Sequence, residues 1–315
     1  MKLSGIAFIF SNVYFEEIDL PFMLSENMIL RSATSSEIEQ LNEHLKEAYG
    51  SAARWVVPFN EEAIEVEDKG TKKIIYAQSN KTRCWVIAFN GSNSQVFTLG
   101  KVSTLINPKL QFGSTFMYKG PNQKREGKSV LYGGHSQIEL LAEQSRKVSQ
   151  KVSTAELQKL KNLYNFIGRE QTKYEKIEFV LELYSSSGSL DVGSKLLTLS
   201  LFSIIESLIA HKPRLTETLD SVTHQIKHKI NLLSKRFDNT IKYHDFFEEI
   251  GYPKLWAKLY GLRSDIAHGQ KYDFSKDYKI LKSIENVNYF LDQVAKELIK
   301  LSIKDFDLVN DIRNC

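Results

Sequence analysis

The stretch LLTLSLFSIIESLIA, residues 196–210, decides how the second half of the chain folds. Its apolar side chains recur on nearly every side of a helix, which is typical of a helix that is surrounded by other elements. The stretch contains Glu206 and falls short of the roughly 20 residues that a membrane-spanning helix needs. We therefore predict a central buried helix, and we expect no membrane span and no membrane partner.

Helical spacing of apolar residues continues on both sides of this stretch. A capping box of Ser153 and Glu156 predicts the start of a long helix that ends near Ser185. Further helices are predicted over about 191–210, 216–236, 254–268 and 278–303, and Gly269 is a helix C-terminal signal. Packing these helices as an antiparallel bundle is the economical solution.

The first 130 residues have a different pattern, in which short β-branched and aromatic runs alternate with polar residues, glycine and asparagine. The runs are GIAFIF (5–10), NVYF (12–15), RWVVPF (54–59), KKIIYAQ (72–78), RCWVIAFN (83–90), QVFTLGKV (95–102) and STFMYKG (114–120). A capping box of Ser36 and Glu39 predicts one helix among these strands, and Gly50 ends it. The predicted fold class is α+β, with a β-rich N-terminal domain over 1–134 and an all-α helical bundle over 135–315.

Composition argues against several classes of protein. The 315 residues include 42 Lys and Arg and 38 Asp and Glu, and the formal net charge of +4 neither requires nor excludes nucleic acid as a partner. The two cysteines, Cys84 and Cys315, cannot build a disulfide framework or a cysteine zinc site, so we expect a reducing cytoplasm. We find no phosphate-binding loop, dinucleotide-binding turn, His-Glu-x-x-His or Gly-x-Ser-x-Gly motif, and we expect no cofactor and no metal.

The candidate catalytic pair lies in LYGLRSDIAHG, residues 259–269, where four residues separate Arg263 from His268. A histidine is the side chain best suited to move a proton near neutral pH. A planar guanidinium stabilises the developing charge on a phosphorane better than an ammonium group would. The pair therefore suits cleavage of RNA by its own 2′-hydroxyl group.

A purely structural interpretation of the same residues stays open. Arg263 can pair with Glu206 or Asp265, and His268 can simply occupy a helix end, where a cation is favourable. Glu206 must find a donor or stay protonated in its apolar helix, so it is either an ion-pair partner or a direct catalytic group.

Three further residues of this segment are supporting candidates. Ser264 and Asp265 lie inside the motif, and Asp265 would repel a phosphate if its carboxylate pointed into the cleft. Tyr260, one turn before Ser264, can stack on a base or pack in the core.

The predicted helix over 216–236 offers a second feature, because its second half carries basic residues and no acid. The candidate RNA-binding residues are Lys227, Lys229, Lys235 and Arg236, which would contact backbone phosphates. An ordinary solvated helix face explains the same pattern. His224 and His228 have the spacing of two metal ligands, but the sequence offers no third ligand.

Three strings together resemble the HEPN superfamily, and most closely its Apea-like branch: LFSIIESLIAHKP (201–213), INLLSKR (230–236) and LYGLRSDIAHG (259–269). The resemblance covers about residues 155–303 and does not reach the first 130. It implies a helical homodimer in which two Arg-x4-His motifs face one cleft. It also implies a metal-independent endoribonuclease of the kind found in toxins and in defence against phage.

The sequence thus predicts a two-domain cytoplasmic protein whose partner is RNA. The N-terminal domain is expected to sense or recruit a phage or cellular trigger, and the helical domain to cleave RNA with Arg263 and His268. The alternative is a catalytically inactive HEPN-like module that dimerises or binds RNA or protein without cleaving it.

Overall fold

A computed structural model of the chain describes residues 3–51, 61–68, 71–78, 84–119, 124–130, 137–169, 171–212 and 221–315. The chain forms two compact units, Met1–Asn165 and Phe166–Cys315. With 56% helix and 18% strand, and with the strands in the N-terminal part, the predicted α+β class is confirmed.

The first unit contains a six-stranded antiparallel sheet whose strand order is β3-β4-β7-β1-β8-β9. These strands are β1 (Gly5–Ile9), β3 (Phe22–Ser25), β4 (Met28–Ser32), β7 (Trp85–Phe89), β8 (Phe112–Lys119) and β9 (Lys124–Val130). All five residues of β1 and all five of β7 are buried. Continuous apolar runs of this kind are typical of strands that are covered on both faces.

Two helices cover one face of this sheet. The helix α1 (Ser35–Tyr49) contributes Leu41 and Leu45, and α3 (Gln137–Ser145) contributes Leu140 and Leu141, to one core with Phe8 and other strand residues. The helix α1 ends at Gly50, as predicted, and the backbone φ of this glycine is +54°.

The capping box of α1 lies two residues earlier than predicted. The amide of Glu37 donates to the Thr34 hydroxyl (3.3 Å), and the amide of Thr34 donates to the Glu37 carboxylate (2.7 Å). Arg31 donates two hydrogen bonds to the same carboxylate, at 2.7 and 2.8 Å. The predicted pair, Ser36 and Glu39, was wrong because the buried Glu37 has both the reciprocal cap and an arginine partner, Arg31.

The segment 95–102, predicted as a strand, is instead part of the helix α2 (Asn93–Ser103). Its buried residues Val96, Leu99 and Val102 recur every three positions, which is a helical spacing. The prediction was wrong because the run also contains β-branched and aromatic residues. The run 54–59 and the predicted domain boundary at 134 lie outside the described residues.

Two small sheets complete the first unit. The hairpin of β5 (Glu61–Asp68) and β6 (Thr71–Gln78) is a separate two-stranded sheet, and β2 (Val13–Tyr14) pairs in parallel with β10 (Gln150–Lys151). The β2–β10 pairing attaches residues C-terminal to the predicted boundary to the first unit. This unit therefore extends to Asn165, whereas the sequence placed these residues in the helical domain.

The helices of the second half form a bundle around one central member. They are α5 (Gln171–Ser187), α6 (Lys195–Ile209), α7 (Val222–Leu233), α8 (Tyr252–Ala267), α9 (Ile284–Lys304) and α10 (Phe306–Asn314), whereas most of the preceding helix, α4 (Thr154–Arg169), belongs to the first unit. The helix α6 contacts α5, α7, α8, α9 and α10, and most of its residues from Leu201 to Ile209 are buried. The prediction of a central buried helix is confirmed.

Several helix boundaries differ from the predictions. The segment predicted as one long helix from 153 is helical over α4 and α5, which flank residue 170, a position outside the described residues. The last predicted helix begins at Ile284 rather than at 278. The carboxylate of Glu156 does not close the predicted capping box, because it accepts hydrogen bonds from the Asn107 amide and from Lys159. The helix α10 was not predicted. None of the helices in the described ranges is long and apolar enough to cross a bilayer.

Candidate functional site

The helix α8 carries both members of the predicted catalytic pair. It begins after Gly251 with a proline in its first turn, and its buried side packs against α6 and α7. The residues that form this buried side are Leu255, Trp256, Leu259 and Leu262. Packing along the whole helix gives its C-terminal turn a rigid base.

His268 is the C-cap residue of α8, and its position is set by the backbone. Gly269, with φ of +66°, donates its amide to the carbonyl of Ile266 (3.2 Å), and the Gln270 amide donates to the carbonyl of Asp265 (2.8 Å). This is a Schellman motif, which ends a helix in one defined conformation. His268 is exposed, and within the described ranges its imidazole makes no hydrogen bond.

Arg263 lies beside Glu206 of α6, as one of the two ion pairs considered from the sequence requires. The Nη2 atom donates to Glu206 Oε2 at 3.3 Å, and Nε lies 3.3 Å from Oε1. The Nε–Oε1 pair lacks hydrogen-bonding geometry, so both atoms are buried without a hydrogen-bond partner among the described residues. The two side chains are 27% and 22% exposed, and the pair is therefore loose and partly open to solvent.

Burial is the dominant effect on the Glu206 carboxyl group. It raises the pKa of Glu206 above its ordinary value, although the Arg263 guanidinium opposes this shift. Burial therefore opposes the ionised form of Glu206 that the ion pair with Arg263 needs.

Asp265 points away from Arg263, toward the segment that follows α8. Its Oδ2 atom accepts a hydrogen bond of 2.6 Å from the buried hydroxyl group of Tyr278. A Cβ atom at Gly261, one turn earlier, would lie only 3.2 Å from the Tyr278 hydroxyl oxygen, so glycine permits this close approach. Lys258 donates to the Asp277 carbonyl (2.9 Å) and fastens the same segment to α8.

Tyr260 and Ser264 have modest roles in this geometry. The ring centroid of Tyr260 lies 5.7 Å from the Arg263 guanidinium and 6.1 Å from the ring of Phe202. Tyr260 thus packs on α6 and flanks the arginine at the same time, and it stays half-buried. The backbone carbonyl oxygen of Ser264 accepts a hydrogen bond of 3.0 Å from the backbone amide of His268.

Arg263 and His268 do not converge within one chain. Five residues along an α-helix turn two side chains about 140° apart and separate them by about 7.5 Å along the axis. Arg263 faces α6, whereas His268 follows the side of α8 that carries Gly261 and Asp265.

The basic residues of α7 and of the turn after it divide into two groups. Lys235 and Arg236 are exposed, and Lys227 is half-buried. Lys229 instead donates to the carbonyl of Arg313 in α10 (2.8 Å) and lies 3.1 Å from Nδ1 of His211. Lys229 therefore holds the end of α10, and its contact with RNA stays a prediction.

The histidines of α7, His224 and His228, lie next to each other. The rings of His224 and His228 lie 4.1 Å apart, and burial, His224 and Lys227 together lower the pKa of His228. No group of three or more His, Cys, Asp or Glu side chains suited to a metal ion occurs in the part of the chain that the structure describes.

Comparison of the chain with protein-family models, with curated proteins and with solved structures finds no match. Among the site residues, the sequence reasoning missed Lys258 and Tyr278. The sequence offers no local pattern that indicates them, because the segment KYDFSKDYK, residues 271–279, has no helical or strand periodicity.

Proposed function

We propose that this chain is a metal-independent endoribonuclease of HEPN type, a toxin or an effector of phage defence that acts as a homodimer through its helical unit. The observation that carries the proposal is the pairing of a loosely held, partly exposed Arg263 with an exposed His268 on one rigid helix. Such an arginine retains donors for a phosphate, and such a histidine is accessible to a bound RNA.

The reaction needs one group that accepts a proton and one that donates a proton. His268 of one copy removes the proton of the RNA 2′-hydroxyl, whose oxygen then attacks the adjacent phosphorus. The bond to the 5′-oxygen breaks, and His268 of the second copy protonates the leaving oxygen. The products are a 2′,3′-cyclic phosphate and a 5′-hydroxyl group, and Arg263 stabilises the charge of the phosphorane.

The homodimer follows from the chemistry, because one chain supplies only one such histidine and turns it away from Arg263. A two-fold axis beside α8 would bring Arg263 of one copy near His268 of the other. Glu206 serves as a positioning residue that orients Arg263, and the hydrogen bond from Tyr278 keeps Asp265 out of the cleft. The first unit is the proposed sensor or recruiter of a trigger.

The test is cleavage of a mixed RNA pool, in the presence of chelator, by the wild type and by Arg263→Ala and His268→Ala. We expect each substitution to reduce the cleavage rate by about a hundredfold or more, because each removes a group that acts in the transition state. The two losses should add incompletely when combined, since both groups serve the same transition state. Any toxicity in cells should disappear in parallel.

The matched controls are His244→Ala and Arg146→Ala, which remove an exposed histidine and an exposed arginine elsewhere. Thermal melts establish that the variants fold. Variants as active as the wild type, or a wild type that needs divalent metal, would contradict the mechanism. RNA that is bound but left intact by the wild type would identify the chain as a non-cleaving binding module.

A further inference from the structure

The β5–β6 hairpin presents an apolar surface that nothing described so far uses. Its exposed side chains are Ile64 (37%), Ile74 (52%), Ile75 (45%) and Tyr76 (46%). Two-stranded hairpins are marginally stable alone. Among the described residues, β6 has no strand on the side away from β5, so its outer backbone edge is open. An exposed apolar edge of this kind is a template for pairing with another strand.

The register of the hairpin determines which backbone groups of β6 face outward. The pairing of Asp68 with Thr71 closes the hairpin over two residues, so this pair is hydrogen-bonded and the pairs alternate from there. Lys73 and Ile75 therefore direct their amide and carbonyl groups toward β5. The residues whose backbone groups face the open edge are Lys72, Ile74, Tyr76 and Gln78.

Charge distinguishes β6 from β5 as a strand that can pair with its own copy. Five of the eight residues of β5 are acidic, so two β5 strands side by side would place carboxylates opposite each other. The strand β6 has two lysines at one end and an apolar centre. Antiparallel pairing of two β6 strands keeps the lysines of the two copies at opposite ends.

We propose that β6 is a self-association surface, in which the β6 strands of two copies pair antiparallel about a two-fold axis at Ile75. In this register each of the four outward residues lies opposite an outward residue of the other copy. Lys72 lies opposite Gln78, and Ile74 lies opposite Tyr76. Pairing about Ile74 or Tyr76 would leave one outward residue of each strand unmatched. The two hairpins become one four-stranded sheet.

Side chains on the resulting sheet are compatible in this register. Ile64 and Ile75 are directly opposite in the hairpin, so one face gains a continuous apolar row of four isoleucines across the four strands. On the other face Ile74 lies opposite Tyr76, an apolar–aromatic pair of the type that stabilises sheets. Lys73 lies opposite Ala77, and no two like charges are opposed.

The test is disulfide formation by Ile75→Cys in a full-length Cys315→Ser background, where the remaining cysteine, Cys84, is buried. Across the proposed axis, the two positions 75 form a non-hydrogen-bonded pair with Cα atoms about 4.5 Å apart, within the range of a disulfide. We expect a covalent dimer on mild oxidation. No dimer would overturn the proposal.

A matched variant checks the register. Position 73 lies on the same face of β6 as position 75. In the proposed register it is opposite residue 77 of the other copy, so the two positions 73 are four residues, or about 13 Å, apart. Lys73→Cys should not crosslink alone, whereas Lys73→Cys combined with Ala77→Cys should. Equal crosslinking of the single cysteines at 73 and 75 would indicate random collision and contradict the register.

The substitution Ile74→Pro tests the pairing between copies without breaking the hairpin itself. Proline at 74 removes an outward amide and leaves the bonds between β5 and β6 intact. Adding it to the Ile75→Cys variant should abolish the covalent dimer while the far-ultraviolet spectrum stays unchanged; persistent crosslinking would contradict strand pairing. The proposal does not depend on the nuclease, so adding His268→Ala to the Ile75→Cys variant should leave crosslinking at position 75 unchanged.

Discussion

In the first unit, Glu37 both forms an ion pair and caps a helix. Its carboxylate binds Arg31 through two hydrogen bonds and caps the first turn of α1. Burial alone would raise the pKa of Glu37, but the hydrogen bonds from Arg31 and Thr34 outweigh it, so the pKa is lowered. The carboxylate thus stabilises the folded unit only while it is ionised.

We predict that Glu37→Gln destabilises the first unit by about 1–3 kcal/mol at pH 7, because a bidentate, charge-assisted pair is lost. Since the folded pKa is lowered, the contribution of Glu37 is complete above the unfolded pKa of about 4.3 and disappears as pH falls through the folded pKa. The difference between variant and wild type should therefore shrink toward pH 3. Hydrogen exchange of the β4 and β7 amides measures it.

The control for this prediction is Glu43→Gln, which changes an exposed residue of the same helix. It should leave amide protection in β4 and β7 unchanged. A gap between Glu37→Gln and the wild type that stays constant from pH 7 to pH 3 would show that ionisation of Glu37 does not stabilise the unit.

At the residue scale, the sequence predicts contacts within a helix better than contacts between segments. The placing of Arg263 and His268 on one helix, with Gly269 ending it, follows from local spacing and is confirmed. The sequence left two partners open for Arg263, Glu206 and Asp265, because local spacing does not show how α6 packs on α8. The hydrogen bond from Tyr278 to Asp265 crosses a loop without periodicity, so no local pattern indicates it.

At the scale of single elements, α7 separates a structural lysine from exposed basic residues. Lys229 is held by Arg313 and Gln225, whereas Lys235 and Arg236 project from the short turn that follows the helix. Of the four predicted RNA-binding residues, Lys227, Lys235 and Arg236 remain available for phosphates.

We predict that replacing Lys227, Lys235 and Arg236 with alanine weakens RNA binding for all sequences and flattens its salt dependence, because phosphate contacts release counterions. Fluorescence anisotropy across a salt series measures both effects. Cleavage at saturating RNA should change little. Lys229→Ala is the contrasting variant, which should lower the melting temperature instead. If the triple variant keeps the wild-type affinity and salt dependence, these three residues belong to an ordinary solvated face.

The element α2 illustrates why short apolar runs are ambiguous. The run QVFTLGKV has the β-branched and aromatic residues of a strand, whereas its buried residues Val96, Leu99 and Val102 have helical spacing. The strands β1 and β7 were predictable because each is a continuous run of buried apolar residues without polar interruptions. The helix α10 was missed because its nine residues contain only one that is fully buried.

At the scale of the whole molecule, the two proposals require two different two-fold contacts on one chain. One lies beside α8 in the helical unit, and the other lies on β6. Two isologous contacts close into a tetramer if their axes intersect in the right geometry, and otherwise they build an open chain of molecules.

We predict that Ile74→Pro, which blocks the β6 contact, leaves a homodimer with a mass near twice 36.2 kDa. The helical contact alone then holds the two copies together, because a composite site needs two motif helices. Light scattering at micromolar protein measures the mass, and the wild type should form larger assemblies at the same concentration. A strict monomer that stays monomeric on adding RNA would count against the composite site.

The close approach of Gly261 to Tyr278 also limits how this sequence can vary during evolution. In a helix interior alanine is favoured over glycine by about 1 kcal/mol, so selection for stability alone would replace this glycine. A methyl group there would push on the Tyr278 hydroxyl at 3.2 Å, and any larger side chain would displace it from Asp265. Position 261 is therefore constrained by a residue 17 places away, although its own helix would tolerate many alternatives.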